Sequence, residues 1–114
     1  MLNITVGHHV ATMLYEAGMP LEECSPDTLH IEVCEGLYRR EYRQPFIWEA
    51  LDWLQSVHDI CVYNYPMTQW RKLAIRQDSN GTLISDIKVG QMDETDAWRL
   101  GITEALKHLK INRR

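Results

Sequence analysis

No stretch of the 114-residue chain approaches the roughly 20 consecutive apolar residues that a membrane-spanning helix requires, which excludes a helical span. Basic residues are missing from the start: the first Lys or Arg is Arg39, so no basic n-region opens a secretory leader and none is expected. Cysteine is sparse. Cys24, Cys34 and Cys61 are an odd set without a Cys-x-x-Cys pair, so they build no disulfide framework and point to reduced thiols in a cytoplasm. A Gly-x-Ser-x-Gly elbow and a Gly-x-x-x-x-Gly-Lys-Ser/Thr loop are both lacking, which removes two common frames for hydrolysis and phosphate binding. Internal repeats, low-complexity tracts and long linkers are lacking too, leaving residues 1–114 as a single domain.

What is present suits a folded core: 45% of the residues are apolar and 25% are charged. Charge is uneven. Residues 1–35 hold six acids and no Lys or Arg, whereas residues 36–114 hold all 12 basic residues against 10 acids. The net of −4 therefore divides into an acidic first third and a weakly basic remainder, an arrangement that either solvates one surface, orients a charged partner or pairs two copies head to tail.

Periodicity changes several times. Residues 4–17 carry Val6, Val10, Met13, Leu14 and Ala17 on one helical arc, with Asn3 or Thr5 as the cap and Gly18 and Pro20 as the stop. From Thr28 the alternation of Leu29, Ile31 and Val33 predicts a strand, Gly36 a turn, and residues 37–43 a return strand that competes with helix. Pro45 suits a first helical position, and Phe46, Ile47, Ala50, Trp53, Leu54 and Val57 then line a second helix. Residues 60–65 read as extended. Asn80-Gly81 predicts a hairpin tip between strands at 70–77 and 82–89. Asp93 caps a last helix whose stripe is Trp98, Gly101, Ile102, Ala105, Leu106 and Leu109, with Lys107, Lys110, Arg113 and Arg114 at its negative end. The expectation is an α+β domain of order αββαβββα: two layers, with one antiparallel sheet of four or five strands and amphipathic helices mainly on one face.

Chemistry-bearing residues do not assemble in the sequence. His8 and His9 point about 100° apart on a helix, and neither has a ligand four residues on, so no metal site is expected. Cys24 and Cys34 lie among carboxylates that raise a thiol's pKa, and Cys61 lies in an apolar strand. No catalytic residue and no cofactor site are assigned. An enzyme with residues scattered along the chain stays as one alternative.

Nucleic acid is the other. The order helix–strand–strand–strand–helix over residues 45–110 matches that of the double-stranded-RNA-binding domain. Where that family carries a Lys-rich entrance to its second helix, this chain has Asp93-Glu94-Thr95-Asp96. Trp70, Arg71, Lys72 and Arg76, and Tyr38-Arg39-Arg40 with Tyr42 and Arg43, interleave aromatics with cations as single-strand binders do.

Trp48 falls nearly opposite the buried arc of its helix, beside Asp52 and Gln55, and Leu100 lies off its stripe among Thr103, Glu104 and Lys107. Tryptophan is enriched at binding hot spots, so these two mark a contact surface. Leu14-Tyr15-Glu16-Ala17-Gly18, Pro45-x-x-Trp48, Ala50-x-x-Trp53-Leu54, His58-x-Ile60 and Gly101-Ile102-x-Glu104-Ala105-Leu106 together resemble small uncharacterised proteins of phage, prophage and mobile-element gene clusters. The resemblance implies a bacterial cytoplasmic accessory protein and carries over no catalytic residue. The reading is a non-enzymatic protein acting by protein–protein contact, as a homodimer or on another protein, through Trp48, Leu100, Trp70, Arg71, Lys72 and Arg76. Its alternative is nucleic-acid binding by the Trp70–Arg76 region.

Overall fold

A computed structural model describes residues 4–24, 30–35 and 38–112, without the side chains of residues 23, 30–35, 38–42 and 111–112. Its elements are α1 (His8–Glu16), a single 3₁₀ turn (Leu21–Glu23), β1 (His30–Glu35), β2 (Tyr38–Arg43), α2 (Ile47–His58), β3 (Ile60–Pro66), β4 (Arg71–Gln77), β5 (Leu83–Val89) and α3 (Glu94–Asn112). The class is α+β. No helix among the described residues is long and apolar enough to cross a membrane.

The single sheet of four or five strands is corrected. β3, β4 and β5 form a three-stranded antiparallel sheet in that order, while β1 and β2 form a separate two-stranded hairpin. The cause is tertiary: the hairpin packs against α1 and the 3₁₀ turn, and does not extend an edge of the sheet. Arg43 ties it down by donating from Nη1 to the carbonyl of Cys24 at 2.9 Å. Leu29, Gly36 and Leu37, expected at the strand ends and turn, lie outside the described residues, as do Asn3, Arg113 and Arg114.

α2 and α3 cover one face of the sheet, and α1 packs on α3. Their stripes meet Ile60, Val62 and Ile75 in one core with Val6, Val10, Leu14, Leu21, Ile47, Leu54, Ile102 and Leu106. Each large aliphatic side chain buried there contributes about 1.5–3 kcal/mol relative to exposure. Gly101 on α3 lets the helix close on β3: a Cβ at that position would meet Val62 Cγ1 at 2.6 Å.

Three local corrections have clear causes. Residues 4–6 are extended, not helical. Their backbone bonds to the start of α2, Val6 N–H to Pro45 O at 3.0 Å and Ile47 N–H to Ile4 O at 2.9 Å, and Gly7 at φ 88° then opens α1. Pro45 precedes the Phe46 cap of α2 instead of opening the helix, and the Glu49 carboxylate accepts from Phe46 N–H at 3.0 Å. Val57, assigned inward, is 59% exposed. The buried stripe of α2 ends at Leu54, and an edge-on contact between Trp53 and His58, centroids 4.7 Å apart, finishes the last turn.

The hairpin at 78–81 follows the sequence signal, with Gly81 at φ 70° accepting the conformation that side chains resist. A bulge after Ile75 sets Arg76 opposite Leu83, so Ile84 joins the core while Leu83 stays 46% exposed. Asp93 caps α3, accepting from Thr95 N–H at 3.1 Å.

Candidate functional site

Strand alternation decides which residues leave the core. Leu73 and Ile75 of β4 are fully buried, so Lys72 and Arg76 emerge on the opposite side of the sheet with Ala74 between them. Pairing sets Tyr65 and Lys88 beside Lys72, Tyr63 and Asp86 beside Ala74, and Cys61 and Leu83 beside Arg76. Among the described residues no helix covers this side: Tyr63 is 38% and Tyr65 43% exposed.

The two tyrosines stack on each other, centroids 5.9 Å apart and planes 8° from parallel. Ala74 leaves room beneath them and is itself fully covered. Each cation on this face already has a partner. Lys72 Nζ is 3.3 Å from Asp86 Oδ2, Lys88 Nζ lies 4.8 Å above the Trp70 ring, and Arg76 donates to Gly81 O at 3.0 Å.

Cys61 closes the turn end of the face, donating its thiol to Asp78 Oδ1 at 3.0 Å. Desolvation first, then the hydrogen bond and the charge of Asp78, push this thiol up to about 11. The same bond, with the Gln55 amide, holds the Asp78 carboxyl below its usual range. Tyr63 is raised, first by the neighbouring charge of Cys61. A thiol held protonated in this way is a poor nucleophile. Among the described residues no group of three His, Cys, Asp or Glu side chains is placed to hold a metal ion.

The residues singled out in the sequence divide among three places. Trp48 is 43% exposed on α2 beside a shallow hollow shared with Met19, Pro20 and Trp53. Leu100 is half-buried on α3, so both belong to the helix layer. Lys72 and Arg76 share the outer sheet face. Arg71 faces the other way, donating to Met92 O at 3.0 Å and to Asn64 Oδ1 at 3.2 Å, which ties the β5–α3 connection to the sheet. Trp70 sits half-buried at the sheet end, lining a hollow of about 370 Å³ with Met67, Arg71 and Met92.

The sequence reading missed Tyr63 and Tyr65. Their signal is the alternation Cys61-Val62-Tyr63-Asn64-Tyr65, which puts both rings on one side of a strand whose other side holds Val62 in the core. A third hollow, of about 430 Å³, lies between α1 and α3, with Met13, Ala17, Leu106 and Leu109 as its apolar lining and Lys107 and Lys110 beside them. No family model, curated protein or solved structure matches the chain.

Proposed function

We propose that this is a small, non-enzymatic accessory protein of the cytoplasm that acts by protein–protein contact, and that its contact surface is the outer face of β3–β4–β5. The observation that carries the reading is the exposed Tyr63–Tyr65 stack on a sheet face that no helix covers among the described residues. Tyrosine offers a large amphipathic ring and a hydroxyl at low conformational cost, which suits the centre of a protein interface. Leu83 and Met67, 46% and 47% exposed, add apolar area at two ends of the sheet.

Nucleic acid is the weaker reading of the same face. A phosphate backbone is held by cations free to replace its counterions. Here Lys72 is neutralised by Asp86, Lys88 is placed on Trp70, and Arg76 is engaged at the turn. Each tyrosine also covers one face of the other's ring, which leaves a base only the outer faces for stacking.

A photo-crosslinking side chain in place of Tyr65, with one at Trp48 for comparison, tests the reading in extract of the source cells. A nuclease-resistant, protease-sensitive adduct from position 65 is expected. A nuclease-sensitive adduct, or an adduct from position 48 alone, overturns it.

A further inference from the structure

The two edges of the sheet are not alike. β3 and β5 end the order β3–β4–β5, so among the described residues each presents a row of backbone groups unpaired with a neighbouring strand. Natural sheets protect such edges with charge, proline or a bulge. β5 carries Asp86 and Lys88 and is bulged near its start. β3, Ile60–Pro66, has no charged residue in its seven positions, and its one proline is the last of them. The unprotected edge is also the one that bears the exposed tyrosines.

We infer that a second copy of this chain completes β3: the two β3 strands pair antiparallel across a two-fold axis at Tyr63 and join two three-stranded sheets into one of six strands. This names the partner for the contact proposed above and rests on that reading. A two-fold interface must be self-complementary, each patch meeting itself reversed. Tyr63 is the middle residue of β3. Pairing centred there sets it against its own counterpart, places Tyr65 beside the partner's Cys61 on the outer face, and places Val62 beside the partner's Asn64 on the helix side. The exposed rings of both copies then form a single aromatic strip across the seam.

Charge fits the same arrangement. Within one copy, Lys72 and Lys88 lie level with Tyr65, whereas two carboxylates, Asp59 and Asp78, and a single cation, Arg76, lie at the Cys61 end of the strand, leaving that end net acidic. Reversing the second copy brings the Lys72 end of one sheet alongside the Asp78 end of the other. β3 itself sets no like charges opposite each other.

Sedimentation across micromolar to submillimolar concentration, read beside hydrogen exchange, tests this. The wild-type chain should show twice its own mass, with β3 amides protected in the dimer and released on dilution. Tyr63→Lys places two ammonium groups at the axis and should weaken association about tenfold or more, with an unchanged circular dichroism spectrum. Leu83→Lys, an equal charge on the outer face of β5, should leave the dimer intact. A wild-type monomer at every concentration overturns the inference, as does a dimer whose β3 amides exchange freely; either holds whether or not the lysine variants fold. A crosslink from position 65 to a protein of different mass would then leave the broader contact reading standing.

Discussion

Asp59 grips Ser79 with both carboxylate oxygens: Oδ1 accepts from the Ser79 N–H at 2.9 Å and Oδ2 from its hydroxyl at 2.6 Å. The Asp59 carbonyl also accepts from Asp78 N–H at 2.8 Å, so the end of α2 is clamped to the β4–β5 turn. Asp59 does this from a left-handed backbone, φ 57° and ψ 38°. Substitution separates the two effects. Asp59→Gly removes the side-chain bonds but relieves the backbone and should cost about 1–2 kcal/mol. Asp59→Ala removes the same bonds and keeps the strain, so it should cost about 1 kcal/mol more. Urea unfolding of the pair reads the difference directly; equal midpoints would mean that the backbone is unstrained.

The Cys61–Asp78 bond makes stability depend on pH at both extremes. Cys61 is raised above its ordinary 9.0 to about 11, so its contribution is complete below pH 9 and is lost as pH rises toward 11. Asp78 is lowered from 3.8, so its contribution is complete above that value and is lost as pH falls through the depressed one. Alkylation gives a second measure: at pH 8 the Cys61 thiolate is about 100-fold scarcer than that of an unperturbed thiol, and iodoacetamide should react correspondingly slowly. Asp78→Asn should accelerate the reaction and flatten the alkaline loss. Equal rates in the two proteins would count against the bond.

Gly101→Ala should destabilise although alanine is the better helix former. The added methyl meets Val62 Cγ1 at 2.6 Å in a packed layer, and overpacking of that kind costs about 1–3 kcal/mol. Val62→Ala in the same chain removes the obstacle. A double-mutant cycle should therefore show the pair less destabilised than the sum of the singles, and strict additivity would place the strain elsewhere.

Trp48 and Leu54 sit on one helix with opposite burial, 43% and 0% exposed. Leu54→Ala should cost about 2–5 kcal/mol through the cavity it leaves. Trp48→Ala should shift stability by less than about 1 kcal/mol. Comparable losses in thermal melts would show that the Trp48 ring carries packing that its exposure conceals.

Local chemistry was legible in the residues. Gly18 and Gly81 take positive φ where a stop and a turn were expected, and Asp93 bonds to Thr95 N–H as a cap. Partner choice was not legible. Alternation marks a strand but carries no instruction about its neighbours, and the β1–β2 hairpin settles on α1 and the 3₁₀ turn instead of joining β3. Val57 falls within the inward arc of the wheel, yet the core beneath α2 ends one turn earlier. For the candidate surface, Lys72 and Arg76 were found because they stand near Trp70 in a pattern that interleaves aromatics with cations. Tyr63 and Tyr65 were passed over because an alternating aromatic strand reads identically whether a second layer covers it or not.

Among the described residues, every ladder between named strands joins strands consecutive in the chain, β1 to β2, β3 to β4 and β4 to β5. Assembly of the sheet therefore closes only short loops, the condition under which chains fold fast. The N-terminal segment is the exception, since α1 packs on α3 from the far end of the chain. Arg99 donates to the Thr5 carbonyl from Nη2 at 2.9 Å and from Nε at 3.3 Å, across 94 positions of sequence. Closing so large a ring is least costly once the sheet and α3 already exist, so the N-terminal strap is a late event on the folding path. Arg99→Ala should accordingly hasten unfolding and leave the folding rate nearly unchanged, the strap acting as a latch on a body that forms without it.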